Sequence, residues 1–460
     1  MLRGRGLLAV VAVVLVVAAA PVWGSSLGQA EGRRMESPER PRVLQIFYSP
    51  PVLARAGEPV RIPAEVVCAT AGGRTCATRM TLGVRVGVGP WRATSGGPGL
   101  RAMFDVTGPA ARAVAVSSGT VSSGAVSFVL RARSDSGATI SVPASLDGGP
   151  LRFYVTGDMP IVQVPAIMFG RTARPETVLF LPWGSGRMRA GIALGNESMT
   201  VGPPSFDVTP DGRIYLLDPL QRRLAVFSSE RLVRQIALRS GVQADVSVAS
   251  DGTAYVAYRS GRTVACRAID PSGRTGLERV VGEGILSQIR TAGSRAFVSL
   301  LPLDAWTPVS LGKHRDTLGI GGSRAVTVGR PLGSGAQLLR VATEEHIRLG
   351  TVVDGRVSGA IELRSAQNLG ELALAEPDGA GGYWAIVHVW RDAPAPADQY
   401  QAIHVGSAGR LIRTVALSNR TFADAPPLSR FRLGPDGRLY QLMTSPVGLR
   451  IVRYSLGGTS

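Results

Sequence analysis

The sequence predicts an all-β protein in which a β-sandwich precedes a β-propeller. In residues 42–160, short apolar runs such as VLQIF and AVSFVLRAR are separated by Gly, Pro, Ser or Asp, at the spacing of strands in a sandwich. In the second half, Asp-Gly turns and weaker echoes of them recur at steps of about 40 to 43 residues, except for a final step of 58. A period near 40 to 45 residues is the length of a four-stranded propeller blade.

The N-terminus has the plan of a signal peptide. Two arginines precede the uncharged apolar run Leu7–Ala20, and small residues follow it. We therefore expect residues 1–24 to be removed after Gly24 by bacterial-type export. The alternative is an uncleaved anchor, because an apolar run of this length is at the short limit for a membrane span. Residues 25–41 are polar and patternless, which predicts a flexible tether on a secreted or cell-surface protein.

The formal net charge of +18 does not by itself indicate a nucleic-acid-binding protein. Of 51 basic residues only Lys313 is a lysine, and Ala, Gly and Pro, which GC-rich codons encode as they do Arg, are abundant. No dense basic stripe interleaved with aromatic residues is visible along the chain, as a nucleic-acid groove would require. We therefore expect no nucleic-acid partner, attribute most of the charge to genomic composition, and leave a preference for other anionic partners open.

The three cysteines predict one disulfide and no metal site. Cys68 and Cys76 flank a short Gly-rich loop after a β-rich run, and an exported chain is found where disulfides persist. Cys266 has apolar neighbours at period two and is expected to be buried in a strand. No CxxC pair or Cys/His cluster is present.

The first domain, residues 42–160, resembles immunoglobulin-like modules. The segment ARAGEPVRIPAEVVC looks like the Gly-Glu turn and B strand of such a domain, and Ser127–Ala144 resembles the F–G hairpin of fibronectin type III domains. The resemblance implies a module that spaces or docks another domain. We expect Trp91 to lie in the sandwich core, and its alternative role is a stacking platform for a carbohydrate.

Blade one of the second domain, residues 161–460, can be assigned strand by strand: Ser205–Val208, Arg213–Asp218, Leu224–Phe227 and Leu232–Leu238. Its first turn, Thr-Pro-Asp-Gly, uses proline and glycine for the turn dihedrals, so we interpret Asp211 as a turn former and not as a catalytic carboxylate.

The pattern of blade one resembles NHL repeats and related six-bladed propellers, although only this blade keeps the acidic residue after its second strand, Asp218. We expect blades near 205–241, 244–282, 285–318, 324–364, 371–417 and 429–456. The last blade shows only three strands of its own, and a strand from 177–194 is expected to complete it. Seven blades remain possible if residues 165–193 form a blade.

Binding residues are expected on the face opposite the Asp-Gly turns. Trp390–Tyr400 and Ser418–Leu428 are the long connections of neighbouring blades on that face, and loops on a rigid scaffold commonly bind ligands. Aromatic and arginine side chains there would suit a glycan or an anionic group; the candidates are Trp390, Arg391, Tyr400, Arg222, Arg223, Arg259, Trp306 and His346. An ordinary solvated loop face is the alternative.

Two functional hypotheses follow. The first is an exported, non-enzymatic and monomeric binding or scaffold protein, whose loop-rich propeller face binds a glycan, an anionic envelope polymer or a protein. The second is a metal-dependent, lactonase-like hydrolase or lyase with its site in the central channel. No catalytic motif or cofactor site is visible in the sequence, and a divalent metal in the channel remains possible. His388 and His404 are expected on adjacent strands, where their rings could meet.

Overall fold

A computed structural model describes residues 41–48, 52–115, 123–142, 150–195, 199–301, 305–309 and 327–456. The expected signal peptide and nearly all of the expected tether lie outside these residues. Within the described ranges, no helix is long and apolar enough to cross a membrane.

The N-terminal sheets form a two-layer sandwich. One sheet has the order β1 (Pro41–Tyr48), β3 (Arg61–Thr70) and β6 (Arg101–Asp105). The other has the order β2 (Leu53–Arg55), β9 (Leu151–Thr156), β7 (Ser123–Ser134), β4 (Thr78–Val86) and β5 (Arg92–Pro98), with β8 (Thr139–Val142) also paired to β7. Helix α1 (Thr107–Ala115) packs on the second sheet. Buried and exposed residues alternate along strands such as β3 and β4, which is the period-two pattern that the sequence predicts.

The core of the sandwich comes from alternate strand positions. Ile62 on β3, Leu82 on β4 and Phe128 on β7 belong to one buried cluster shared by the two sheets. The predicted disulfide between Cys68 and Cys76 is confirmed, with their Cα atoms 5.4 Å apart. Cys266, whose burial the sequence predicts, has no exposed surface.

Trp91 corrects the sequence interpretation, because it is not a core residue. Its side chain is 40% exposed on the outward face of β4 and β5, and its ring rests on Gly83, where an added Cβ would lie 3.6 Å from the ring carbon Cε3. A tryptophan can lie flat there because the position beneath it has no side chain.

Six further sheets follow, each with strands in chain order. They contain β12–β15 (Ser205–Val208, Arg213–Asp218, Arg223–Ser228, Arg231–Ala237), β16–β19 (Ala244–Val248, Ala254–Ser260, Thr263–Ile269, Thr275–Glu283), β20–β23 (Ile285–Ala292, Arg295–Leu301, Ala305–Pro308, Thr327–Val328), β24–β27 (Arg330–Pro331, Gln337–Ala342, Ile347–Val353, Arg356–Ser365), β28–β31 (Asn368–Pro377, Tyr383–Arg391, Ala397–Val405, Leu411–Leu417) and β32–β34 (Phe431–Leu433, Leu439–Ser445, Gly448–Tyr454).

These sheets form a closed ring of six blades. Innermost strands of successive sheets pack on one another, as β12 does on β16 and β16 on β20. A bridge between Ser205 and Ser429 joins the last sheet to the first. Apolar clusters fill the spaces between blades, for example Phe206, Phe227 and Leu442 between blades one and six. The described part of the chain is therefore an all-β protein with a β-propeller.

Two strands from the passage before blade one join the ring. β11 (Glu176–Pro182) pairs antiparallel with β34 as the outer strand of blade six, and its residues overlap the range 177–194 in which a closing strand was expected. β10 (Ile161–Val164) pairs parallel with β27 as a fifth strand of blade four. Residues 165–193 thus make no separate blade. The outer strand of blade three, Thr327–Val328, lies beyond the expected range 285–318, and blade four begins at Arg330.

The sandwich docks on blade four through a buried ionic cluster. The Glu362 side chain, which has no exposed surface, accepts hydrogen bonds from Arg55 of the sandwich at 3.3 Å, from Arg348 at 2.9 Å and from Arg364 at 2.6 Å. Arg348 also donates to Glu58 of the sandwich at 2.6 Å. Residues 40–460 form one compact unit, which this cluster helps to hold together.

Candidate functional site

The Asp-Gly turns lie at one end of the blades, where their acidic side chains bind the turn backbone. The carboxylate of Asp251 accepts from the amide of Thr253 at 2.9 Å, and that of Asp378 accepts from Ala380 and Gly382, both at 2.8 Å. These residues are engaged as turn formers. The opposite end carries the connections between blades.

A cavity of about 480 Å³ opens at this opposite end, beside the mouth of the ring. We call it the mouth cavity; its polar lining is Ser287, Gln288, Arg290, Arg340, Glu371, Tyr400 and Arg430, and its apolar lining includes Leu286, Leu301, Leu372, Pro426, Pro427 and Leu428. The lining comes from blades three, four, five and six, so the closed ring is needed to assemble it.

The connection 418–430 between blades five and six forms one wall of the mouth cavity. It is held along its length: Gln441 donates to the carbonyl of Ser418 at 2.8 Å, the hydroxyl of Thr444 accepts from the amide of Ala423 at 3.0 Å, and Asp424 accepts from the amide of Thr200 at 2.8 Å. Two prolines, Pro426 and Pro427, then face the cavity. This wall is thus fixed before any ligand arrives, which lowers the entropic cost of binding.

Arg430 and Tyr400 form a buried polar pair in the lining. The guanidinium carbon of Arg430 lies 4.9 Å from the ring centre of Tyr400, a cation–π geometry. Arg430 also donates to the side-chain oxygen of Asn419 at 2.9 Å. Burial lowers the pKa of Arg430 and raises the pKa of Tyr400 to about 12, with the charge of Glu371 acting in the same direction. At neutral pH the phenol is therefore a neutral donor, and it donates to Glu371 at 3.3 Å.

Beneath the cavity, the innermost strand of each blade contributes a charged residue to a common ring, and the innermost strand of blade five also carries Glu371, which lines the cavity. We call this set the inner charge ring; in blade order it is Asp207, Asp245, Arg290, Arg330, Glu376 and Arg432. Three acidic and three basic side chains balance in charge. Arg290 belongs both to this ring and to the lining of the mouth cavity.

Ion pairs connect the inner charge ring across the channel. Arg432 of blade six contacts Asp245 of blade two at 2.9 Å and Asp207 of blade one at 3.4 Å, and Arg290 contacts Asp245 at 3.4 Å. Arg330 forms a two-point contact with Glu376, one bond being 2.8 Å. Every acidic residue of the ring is thus already paired with an arginine.

The pKa values in this ring follow from burial and pairing. Burial by itself would raise the pKa of Asp245, but the charges of Arg432 and Arg290 and the hydroxyl of Ser205 lower it overall. Burial, reinforced by the nearby charge of Arg432, lowers the pKa of Arg290 to about 9. Both groups remain charged at neutral pH. Burial raises the pKa of Asp207, an effect that the nearby charge of Arg432 only partly offsets.

The mouth cavity is suited to an anionic ligand. Three arginines and one glutamate line it; Arg290 is already paired with Asp245, so Arg340, Arg430 and Glu371 leave a lining charge of 2 − 1 = +1. Guanidinium groups bind carboxylate, phosphate and sulfate in two-point contacts, while the prolines and leucines provide apolar surface for the rest of a ligand. Among the described residues, no group of three or more His, Cys, Asp or Glu side chains is placed to hold a metal ion.

Of the eight candidate residues from the sequence, only Tyr400 lines the mouth cavity, and it is 7% exposed. Arg223 and Trp306 are buried at 1% and 0% exposure. Arg223 is occupied by Asp218 and by carbonyl groups of the 186–189 segment. These two residues therefore cannot contact a ligand from the loop face.

The other candidates lie outside the cavity. Arg222 is exposed in a left-handed turn, and Arg259 bonds its own turn at the Gly261 carbonyl, 2.9 Å away. His346 is half-buried, and burial lowers its pKa. Trp390 and Arg391 belong to β29.

The expected long insertion Trp390–Tyr400 is mostly strand. Its ends lie in β29 and β30, which leaves only residues 392–396 as the connection, because the ladder between the two strands continues to the pair Arg391 and Ala397. The guanidinium of Arg391 stacks on the ring of Phe169, 4.9 Å from its centre.

The two histidines of blade five lie on adjacent strands as expected, but each faces a different partner. His388 is opposite Tyr400 and bonds Asp398 at 2.9 Å, whereas His404 is opposite Trp384 and bonds Asp378 at 3.0 Å. The register separates the two rings, so they form no joint site.

The residues that the sequence analysis missed are Gln288, Arg340, Glu371 and Arg430. Gln288, Arg340 and Glu371 lie within strands β20, β25 and β28, and Arg430 lies just before β32. None of them belongs to a local motif. One signal was available: Arg430 comes just after the insertion Ser418–Leu428, which was correctly assigned to this face and whose prolines line the cavity.

Comparisons with known proteins find only distant similarities. No family model matches the chain, and no curated protein matches it. Partly similar solved structures include virginiamycin B lyase from Staphylococcus aureus, at 8% identity and TM-score 0.34 over 56% of this chain and 96% of that one. A PQQ-bound aldose sugar dehydrogenase from Streptomyces coelicolor has 12% identity and TM-score 0.34 over 62% and 96%. A Bacteroides caccae protein of unknown function has 14% identity and TM-score 0.32 over 49% and 92%. The ring of six sheets itself defines the class: this is a β-propeller protein.

Proposed function

We propose that this protein is an exported, non-enzymatic binding protein whose mouth cavity captures an anionic group of a glycan or envelope polymer. The observation that carries the proposal is the lining of the mouth cavity, in which Arg290, Arg340 and Arg430 surround a recess with apolar walls. The N-terminal sandwich would be an immunoglobulin-like module that positions an NHL-like propeller near the cell surface. Export rests on the signal-peptide plan of residues 1–24, and the disulfide is consistent with it.

The inner charge ring favours binding over channel chemistry. A metal-dependent hydrolase or lyase needs carboxylates that are open to a cation and a substrate. Asp207, Asp245 and Glu376 are the acidic residues of the channel-facing ring, and each contacts an arginine within 3.4 Å. Releasing a carboxylate from these pairs would leave an arginine buried without its counter-charge, which is costly.

A direct test uses a short acidic sugar and its neutral analogue. Binding of trigalacturonic acid and of its methyl ester to the full chain is measured by isothermal titration calorimetry. We expect binding of the acid only, and Arg340→Gln should weaken it about tenfold, which is the loss of one charge-assisted contact. Raising the salt concentration should weaken it further.

The matched control is Arg259→Gln, which removes one positive charge from the same face outside the cavity. It should leave the affinity unchanged. Equal binding of acid and ester, or equal losses in the two variants, would contradict the proposal.

A further inference from the structure

The outward face of the second sandwich sheet carries several arginines. They play no part in the function proposed for the propeller. Along β4, Met80, Leu82 and Val84 point into the core, so Arg79, Thr81, Gly83 and Arg85 point outward. On β7 the exposed positions are Arg131 and Arg133. We call this surface the arginine face; it consists of Arg79, Thr81, Gly83, Arg85, Trp91, Arg131, Arg133, Thr139 and Ser141.

Strand register places like charges next to each other on this face. Arg79 is directly opposite Arg133, and Thr81 is opposite Arg131. Opposed residues on one face have Cβ atoms about 5 Å apart, and like charges at that distance destabilise a sheet. Among the described ion pairs none includes Arg79, Arg131 or Arg133. An anion bound between them would relieve this repulsion.

The surface between these arginines is recessed and rich in hydroxyl groups. An open groove of about 830 Å³ is lined by Arg79, Arg131 and Arg133. Thr139 and Ser141 of β8 continue the rows, opposite Arg133 and Arg131 respectively. Asp135 is the acidic residue of this lining, and its carboxylate accepts the amide of Ser136 at 2.9 Å.

An aromatic platform lies at the other end of the same face. Trp91 rests on Gly83 and is 40% exposed, and the guanidinium carbon of Arg85 lies 4.9 Å from its ring centre. From Arg79 to Arg85 the strand spans roughly 20 Å at its usual rise per residue. Charged groups and an exposed aromatic ring thus lie along one extended line.

We propose that the arginine face is a second binding surface, for an acidic polysaccharide. The arginines would bind the repeating acidic groups, the hydroxyl rows would bond sugar hydroxyls, and Trp91 would stack on a sugar ring. This surface belongs to the sandwich and the mouth cavity belongs to the propeller. Binding at either one can therefore be tested independently of the other.

The test compares three polymers bound to the full chain, by affinity electrophoresis and surface plasmon resonance. The polymers are polygalacturonate, its methyl-esterified neutral form, and polyphosphate as a polyanion without sugar rings. All measurements are made in an Arg340→Gln background, so that the mouth cavity contributes little. We expect polygalacturonate to bind and the esterified polymer not to bind.

The double variant R79S/R133S should weaken polygalacturonate binding on the order of tenfold or more, because two charge-assisted contacts are lost. Its matched control, R231S/R410S, removes the same charge from exposed propeller positions and should have little effect. Trp91→Ala should weaken polygalacturonate binding but not polyphosphate binding, and Trp91→Phe should restore part of it. Unchanged thermal unfolding of each variant establishes that the sandwich is intact.

Three results would overturn the proposal: an equal loss in the control pair, tighter binding of polyphosphate than of polygalacturonate, or no selective effect of Trp91→Ala. An equal loss in the control pair would show that only the net charge of the protein matters for binding. Either of the other two results would show that the surface does not recognise the sugar rings.

Discussion

Replacing Glu362 with glutamine tests whether the ionic cluster fixes the sandwich to blade four. The Glu362 carboxylate has no exposed surface and bonds three arginines, Arg55, Arg348 and Arg364. Glutamine keeps the shape of the side chain but removes its charge, so three guanidinium groups would share one neutral carbonyl oxygen.

The magnitude follows from the pKa of this carboxyl group. Burial by itself would raise the pKa of Glu362, but the bond from Arg364 and the charge and bond of Arg348 lower it from 4.5 to about 2. A shift of this size corresponds to about 3 kcal/mol of folding free energy at neutral pH. Breaking a buried ion pair costs about 3–5 kcal/mol in other proteins, which agrees. We therefore expect Glu362→Gln to lower the free energy of unfolding by about 3 kcal/mol.

The assay is urea unfolding of the wild type and the variant from pH 7 to pH 2.5. Because folding lowers the pKa of Glu362, its stabilisation is present above the unfolded value near 4.5 and is lost as the pH falls towards 2. The difference between the two proteins should thus shrink at acid pH. A difference that is absent at pH 7, or that stays constant down to pH 2.5, would refute the reasoning. The control is Glu65→Gln: its exposed ion pair with Arg101 should contribute less than about 1 kcal/mol.

Three further predictions concern the scaffold. C68S/C76S should lower the free energy of unfolding by about 2.5 kcal/mol, the loop-entropy value for so short a loop, and added reductant should then change only the wild type. Arg432→Met should cost about 3–5 kcal/mol in thermal or urea unfolding, because it leaves Asp245 buried with one cation fewer; a neutral result would contradict the role given to the inner charge ring. Deleting everything before Gly202 removes β10 and β11 and should abolish cooperative unfolding of the propeller, whereas a fragment that melts like the intact protein would refute closure by β11.

The periodic features of the fold could be predicted from the sequence, because they are local. Alternation on β4 and β7, the Asp-Gly turns and the cysteine pair each depend on residues close together in the chain. The parallel addition of β10 to blade four could not be predicted in this way, since it pairs segments about 200 residues apart and has no turn signature.

The candidate site was predicted as a face but not as a set of residues. The sequence predicts that an arginine or tryptophan next to a turn is exposed. Arg223 and Trp306 are nevertheless buried in the folded protein. Conversely, Trp91 was expected in the core and is exposed, because Gly83 leaves room for its ring on the surface. The residues of the inner charge ring come from six different blades and are far apart in the sequence. No local motif could therefore predict the ring.

Hydrogen–deuterium exchange of the full chain, with and without saturating trigalacturonic acid, shows whether the ligand binds in the mouth cavity. We expect slower exchange in the segments that line the mouth cavity, 286–288, 371–373 and 426–430, and unchanged exchange in the Asp-Gly turns of the opposite face. Slower exchange at those turns, with none at the mouth cavity, would contradict the proposal.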